Sequence, residues 1–124
     1  MGGLRTWAAL PVVCALAQTP PVWAETPDPF RLFATCTGRL SAQMEHQWLT
    51  SDPAADQTQA RREVMAALLV SVTPPGQESA AMALRIEAKV AQAGLLTRAW
   101  HGQDAWATRR AERLVADCAA LMLG

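Results

Sequence analysis

The segment CTGRLSAQMEHQWL, residues 36–49, decides the predicted fold of this chain. It places Cys36, Leu40, Met44 and Trp48 four residues apart. Side chains at spacings of three and four lie on one face of a helix. The segment therefore predicts a helix whose apolar face carries a cysteine.

Three further segments repeat this apolar spacing, and we expect helices over residues 29–50, 53–72, 77–100 and 104–122. Alanine, leucine, arginine, glutamate and glutamine dominate the composition, and these residues favour helices over strands. The apolar face predicted for the second helix consists of Val64, Met65, Leu68, Leu69 and Val72. That of the third helix consists of Met82, Ile86, Val90, Ala93, Leu96 and Trp100. That of the fourth helix consists of Ala107, Ala111, Leu114, Cys118 and Leu121.

Boundary signals separate the predicted helices. An aspartate precedes the first, second and fourth helices, where its side chain can cap free backbone N–H groups. Thr73-Pro74-Pro75-Gly76 breaks the chain after the second helix, because proline cannot continue a helix. His101-Gly102 ends the third helix, with glycine where a left-handed cap is easiest. The short connections make consecutive helices antiparallel neighbours. The predicted fold is all-α, an up-down-up-down antiparallel four-helix bundle.

Two glycines lie inside the predicted helices. Gly38 follows Cys36 by two residues, although an interior glycine costs about 1 kcal/mol relative to alanine. It either permits the close approach of a neighbouring helix or forms a notch for a ligand, and we favour the first interpretation. Gly94 leaves the apolar spacing of the third helix unbroken, so we expect one continuous helix there.

The positions of Cys36 and Cys118 predict a disulfide. Cys36 lies about two turns into the first helix, and Cys118 lies one to two turns before the end of the fourth. In the predicted bundle both lie at the same end, on the apolar faces of adjacent helices. A disulfide that closes a loop of this length stabilises a domain by about 4–5 kcal/mol in the chain-entropy model. The alternative is two free, buried cysteines.

Residues 1–24 are typical of a secretory signal. Arg5 precedes an apolar run over residues 7–17, and Val22-Trp23-Ala24 offers a signal-peptidase site before Glu25. The alternative is a retained membrane anchor, but a span needs roughly 20 apolar residues. We expect Cys14 to leave with the signal and the domain to comprise residues 25–124. The predicted location is periplasmic or secreted, in a bacterium.

Composition and motifs exclude several classes of function. Eleven basic and eleven acidic residues balance, so no excess charge favours nucleic acid or an anionic membrane. The sequence has no Cys-x-x-Cys, glycine-rich phosphate loop, His-Glu-x-x-His or Gly-x-Ser-x-Gly. We therefore predict neither enzymatic activity nor a cofactor. An enzyme would require a cleft with a perturbed carboxylate, such as Glu45 or Asp104.

His46 and His101 are the two histidines, and both are predicted to lie at the end opposite the cysteines. Together with Met44 or Glu45 they raise the alternative of a metal- or haem-binding bundle. However, His46 points away from the apolar face of its helix. His101 falls in the last turn of the third helix, where a cationic side chain interacts favourably with the helix dipole. We therefore favour solvation and helix capping for both histidines.

Tryptophans also map to this end. Trp48 and Trp100 continue apolar faces, so we expect them to close the bundle as an aromatic cap. Trp106 lies off the apolar face of the fourth helix, and we expect it to stack on a neighbouring arginine, Arg109 or Arg110. It either anchors a partner protein or folds over the turn at Gly102.

Tryptophan and arginine dominate the energetic centres of protein interfaces. The candidate partner surface therefore comprises Trp106, Arg109, Arg110 and Arg113. We expect a non-catalytic accessory, adaptor or binding subunit, with an envelope protein as its partner.

Overall fold

The computed structural model describes residues 2–4, 8–15 and 28–123. It contains four helices, α1 (Pro29–Leu49), α2 (Ala55–Val72), α3 (Glu78–His101) and α4 (Ala105–Leu121), and no strand within these ranges. The predicted all-α four-helix bundle is confirmed. Residues 2–4 and 8–15 have no regular secondary structure, and the predicted cleavage site before residue 25 lies outside the described residues.

Aspartate side chains cap two of the helices as predicted. Asp28 accepts a hydrogen bond from the Phe30 backbone N–H at 3.1 Å, and Asp104 accepts one from the Ala107 N–H at 3.0 Å. Asp52 instead accepts from the Ala54 N–H at 2.9 Å, inside a turn. Consequently α2 begins two residues later than the sequence signal predicts.

The chain reverses after α3 at Gln103 and not at Gly102. Gly102 keeps a right-handed conformation with φ −90°, whereas Gln103 has φ 48°. Both Gly102 and Asp104 donate their backbone N–H to the Arg98 carbonyl, at 3.0 and 3.3 Å. The prediction of a left-handed cap at Gly102 is therefore wrong by one residue. Gly102 still has a helical conformation, and the left-handed conformation falls on Gln103.

Helix α1 lies at the centre of the bundle and packs against all three other helices. Its most extensive contact is with α3, which runs parallel to it, and Gly38 permits this approach. A Cβ atom at position 38 would collide with the Arg85 carbonyl oxygen and would lie 3.0 Å from the Ala88 Cβ. The interpretation of Gly38 as a site of close helix approach is confirmed.

Helices α2 and α3 are consecutive but barely touch, contrary to the expectation that sequential helices are neighbours. Because α1 packs so closely against α3, it lies between them. The sequence expectation holds for the antiparallel pairs α1–α2 and α3–α4.

The predicted disulfide joins α1 to α4. The Sγ atoms of Cys36 and Cys118 are 2.03 Å apart, and their Cα atoms are 5.5 Å apart. Both cysteines are buried with Leu40 and Met65 in one core cluster. The bond therefore joins α1 to α4 inside a core cluster to which α2 contributes Met65.

The apolar face predicted for α3 is only partly correct. Leu96 is buried, but Met82, Ile86 and Val90 are 48%, 54% and 66% exposed. The close approach at Gly38 requires small side chains on α3, so the face with Ala81 and Ala88 turns inward and the bulky row turns outward. The same helix is continuous through Gly94, as predicted. No helix among residues 28–123 is long and apolar enough to cross a bilayer.

Candidate functional site

A cleft of about 440 Å³ lies between α1, α3 and α4, and we call it the arginine cleft. Its volume falls in the range of sites that bind small ligands or a few residues of a peptide. Its lining residues are Arg31, Thr35, Arg39, Leu84, Glu87, Ala88, Ala91, Gln92, Leu95, Trp106, Arg110 and Leu114.

Helical spacing builds two walls of the arginine cleft. On α1, Arg31 and Arg39 are separated by eight residues with Thr35 midway, so they share one face. On α4, Trp106 and Arg110 share a face in the same way and continue to Leu114. Because the disulfide holds α1 and α4 together, these two faces flank a floor that α3 provides.

Positive charge accumulates in this cleft. Three arginines line it against one glutamate, Glu87, and none of Arg31, Arg39 and Arg110 forms an ion pair within the described part of the chain. Burial, and then the neighbouring Arg110, lower the pKa of the Arg39 guanidinium, while Asp117 acts in the opposite direction. Guanidinium groups remain charged in proteins, so this site holds like charges close together.

Gln92 provides the polar floor of the cleft. It is 1% exposed, and its Nε2 donates to the Ala111 carbonyl at 3.2 Å. That bond fixes the orientation of the amide. The Oε1 atom has no hydrogen-bond donor among residues 28–123 and the described N-terminal stretches. A buried acceptor without a donor costs about 1–3 kcal/mol, so Gln92 favours a ligand that can donate.

Trp106 stands at the cleft with 54% of its surface exposed. The Arg98 guanidinium carbon lies 5.4 Å from the centre of its ring, within cation–π range. Arg98 Nη2 also donates to Asp104 Oδ2 at 2.7 Å. Trp106 therefore stacks on an arginine of α3, which Asp104 holds, and not on Arg109 or Arg110 as the sequence suggested.

The predicted partner surface divides into two parts. Trp106 and Arg110 both line the arginine cleft, whereas Arg109 and Arg113 are exposed on α4 outside its lining. Helical geometry accounts for the division, because residue 110 lies one turn after residue 106. The structure thus brings together at the cleft two of the four residues that the sequence predicted as the partner surface.

The histidines do not converge. His46 packs edge-on against Trp100, with ring centroids 5.7 Å apart, and both line a separate cavity of about 280 Å³. His101 is exposed outside that lining, and Met44 is buried. Across the described ranges, no group of three or more His, Cys, Asp or Glu side chains is placed to hold a metal ion.

The tryptophans do not form the expected aromatic cap. Trp48 and Trp100 are 52% and 59% exposed. Trp100 pairs with His46 instead of closing the core. The core at this level consists of Ala42, Leu96 and Ala111 with Leu95 packed against it, and neither indole ring belongs to it.

Neither carboxylate considered for catalysis has the environment of a general acid. Glu45 forms an ion pair with Lys89 at 2.6 Å. Asp104 caps α4 and contacts Arg98, and hydrogen bonds from the Ala107 backbone and Arg98 lower its pKa. A general acid at neutral pH needs a raised pKa, so the shift at Asp104 has the opposite direction.

Sequence reasoning missed three cleft residues on which the site depends, Arg31, Arg39 and Gln92. Arg31 lies two turns before Arg39, which is a detectable spacing. Gln92 lies on the helix face that carries Ala88 and Leu96, and a glutamine on a core face is a signal for a polar floor. Recognising it required the correct inward face of α3.

No family model, curated protein or solved structure matches this chain at a significant level. The function is therefore inferred from its own residues.

Proposed function

We propose that the protein is a small exported binding protein of the bacterial envelope, without catalytic activity. In this proposal it acts as an accessory or adaptor subunit that captures a partner protein at the arginine cleft, with Trp106 as the anchor. Arg109, Arg110 and Arg113 on the same helix surround the anchor and extend the contact surface.

The observation that carries the proposal is the position of Trp106. It is more than half exposed, yet Arg98 and Asp104 hold it beside a cleft. A tryptophan fixed in this way loses little conformational freedom on binding, which favours affinity. Such aromatic side chains surrounded by arginine are typical of the energetic centres of interfaces.

The disulfide supports the location. Cys36 and Cys118 form a buried crosslink, and disulfides persist in compartments such as the periplasm or the extracellular space. Together with the signal-like residues 1–24, this favours export across the inner membrane.

The test is photocrosslinking in living cells, with the full chain expressed from its own leader. A photoreactive amino acid at Ala91, which is exposed and lines the cleft, should yield a discrete adduct with one partner protein. The same group at Ile86, exposed away from the cleft on the same helix, serves as the matched position and should yield none.

Two tryptophan variants give the test its specificity. In the chain with the crosslinker at position 91, Trp106→Ala should abolish the adduct. Trp48→Ala should leave it unchanged, because Trp48 is equally exposed but lies outside the cleft. An adduct that survives Trp106→Ala in a folded protein, or no adduct at position 91, would refute the proposed function.

A further inference from the structure

We propose that the arginine cleft binds a carboxylate carried on a peptide segment, which accepts hydrogen bonds from Arg39 and Arg110 while a neighbouring N–H donates to Gln92 Oε1. This inference rests on the proposed function and names the chemistry of the captured segment.

The charges of the cleft favour an anion. Arg31, Arg39 and Arg110 line it without an ion pair within residues 28–123, and Glu87 is the one carboxylate in the lining. Like charges that are held together in a partly buried site destabilise the unliganded protein. A carboxylate between Arg39 and Arg110 removes this repulsion and forms charge-assisted hydrogen bonds, which are about twice as strong as neutral ones.

Gln92 distinguishes a peptide from a simple anion. Its Oε1 atom is buried and lacks a donor in the described ranges, while its Nε2 is already used by Ala111. A free carboxylate ion has no proton to donate to this oxygen, but a peptide carries an N–H next to every acidic side chain. The cleft therefore matches a carboxylate and an amide N–H offered together.

The remaining lining fits the residues that flank such a group. Leu84, Leu95 and Leu114 supply an apolar wall, and Trp106 stands beside them. A volume of about 440 Å³ accommodates one acidic side chain with its adjacent backbone. Glu87 repels a second carboxylate, so a single acidic residue with apolar neighbours suits the cleft better than an acidic run.

The test is an NMR titration of the protein isolated from cells that express the full chain. The probe is an N-acetylated, C-amidated tetrapeptide of sequence Ala-Asp-Leu-Ala, and the comparison peptide replaces Asp with Asn. Acetate and inorganic phosphate are titrated separately. The observed signals are the side-chain resonances of Arg39 Nε, Arg110 Nε and Gln92 Nε2, which report on the cleft without relying on tryptophan fluorescence.

The Asp peptide should shift all three resonances, and the Asn peptide should bind about tenfold more weakly, as expected for the loss of a charge-assisted bond. Arg110→Gln should weaken the Asp peptide by a similar factor. Arg61→Gln removes the same charge from α2, outside the cleft, and it should change the affinity by less than about twofold. Arg39→Gln provides a second variant within the cleft.

Several results would overturn the inference. Equal binding of the Asp and Asn peptides would exclude carboxylate recognition. Acetate or phosphate binding as tightly as the peptide would show a simple anion site. Equal losses from Arg61→Gln and Arg110→Gln would show that the effect comes from net charge alone. If the peptide fails to bind while the crosslink at position 91 still depends on Trp106, the inference of carboxylate recognition is wrong. The proposed function as a partner-binding protein is then still supported.

Discussion

The close packing of α1 on α3 predicts opposite effects for the same substitution at two glycines. Gly38→Ala places a methyl group against the Arg85 carbonyl oxygen and the Ala88 Cβ. Gly94→Ala places it in open space, with no heavy atom within 4 Å. Both glycines lie inside helices, so alanine gains the same helix propensity at each position.

The magnitudes follow from this difference. Alanine exceeds glycine by about 1 kcal/mol in a helix interior, and Gly94→Ala should gain about this amount. At position 38 overpacking costs about 3 kcal/mol, because a backbone oxygen can move only with the whole of α3. Gly38→Ala should therefore lose about 2 kcal/mol, and the two variants should differ by about 3 kcal/mol.

The assay is urea unfolding of each variant followed by helical circular dichroism, with the disulfide intact. Equal dependence of the free energy of unfolding on urea would confirm that the variants unfold from comparable states. If Gly38→Ala stabilises the protein as much as Gly94→Ala does, then α1 and α3 do not approach each other as closely as described.

Three further predictions concern the core and one cap. Replacing both Cys36 and Cys118 with alanine should lower the free energy of unfolding by about 4–5 kcal/mol, since the bond spans 82 residues. Denaturant unfolding of the variant beside the oxidised wild type measures this loss, and a loss below about 1 kcal/mol would contradict the prediction. Asp104 has a lowered pKa in the fold, so its stabilisation is present above its unfolded pKa near 4 and is lost as the pH falls through the lowered pKa. Asp104→Asn should therefore flatten the acid limb of the stability curve, and an unchanged limb would contradict the lowered pKa of Asp104. Ile86→Gln should change the free energy of unfolding by less than about 0.5 kcal/mol, whereas Leu96→Ala should cost about 2–4 kcal/mol. Thermal unfolding measures both variants. A larger loss for Ile86→Gln than for Leu96→Ala would show that α3 buries the apolar face that the sequence predicted.

The sequence predicted the helices and the disulfide because both depend on local signals. The aspartate caps and the Pro74-Pro75 break fix the helix ends, and the apolar spacing gives each helix its phase. Cys36 and Cys118 then coincide in height and face. These features need no knowledge of how far apart the helix axes lie.

The inward face of α3 could not be read from hydrophobicity, because distance between helices decided it. Gly38 brings α1 so close that alanines pack better than Ile86 or Val90. The bulky row therefore faces outward, although it is the more apolar one. A sequence rule that weighs apolarity alone selects the wrong face here.

The same limit applied to the candidate site. Trp106 and Arg110 were identified because they lie off the apolar face of α4. Arg39 and Gln92 come from two other helices, and their contribution depends on the α1–α3 packing that the sequence did not indicate. The pairing of Trp106 with Arg98 likewise requires the turn between α3 and α4.

The free energy of coupling between Arg39 and Arg110 tests the central claim most directly. It is measured by a double-mutant cycle of Arg39→Gln and Arg110→Gln in the unliganded protein, from urea unfolding at low and at high salt. We predict an unfavourable coupling of a few tenths of a kcal/mol at low salt, which becomes weaker near 1 M salt because salt screens the repulsion between the two charges. A coupling that is zero or favourable at low salt would contradict the claim that repulsion between Arg39 and Arg110 favours the binding of an anion in the arginine cleft.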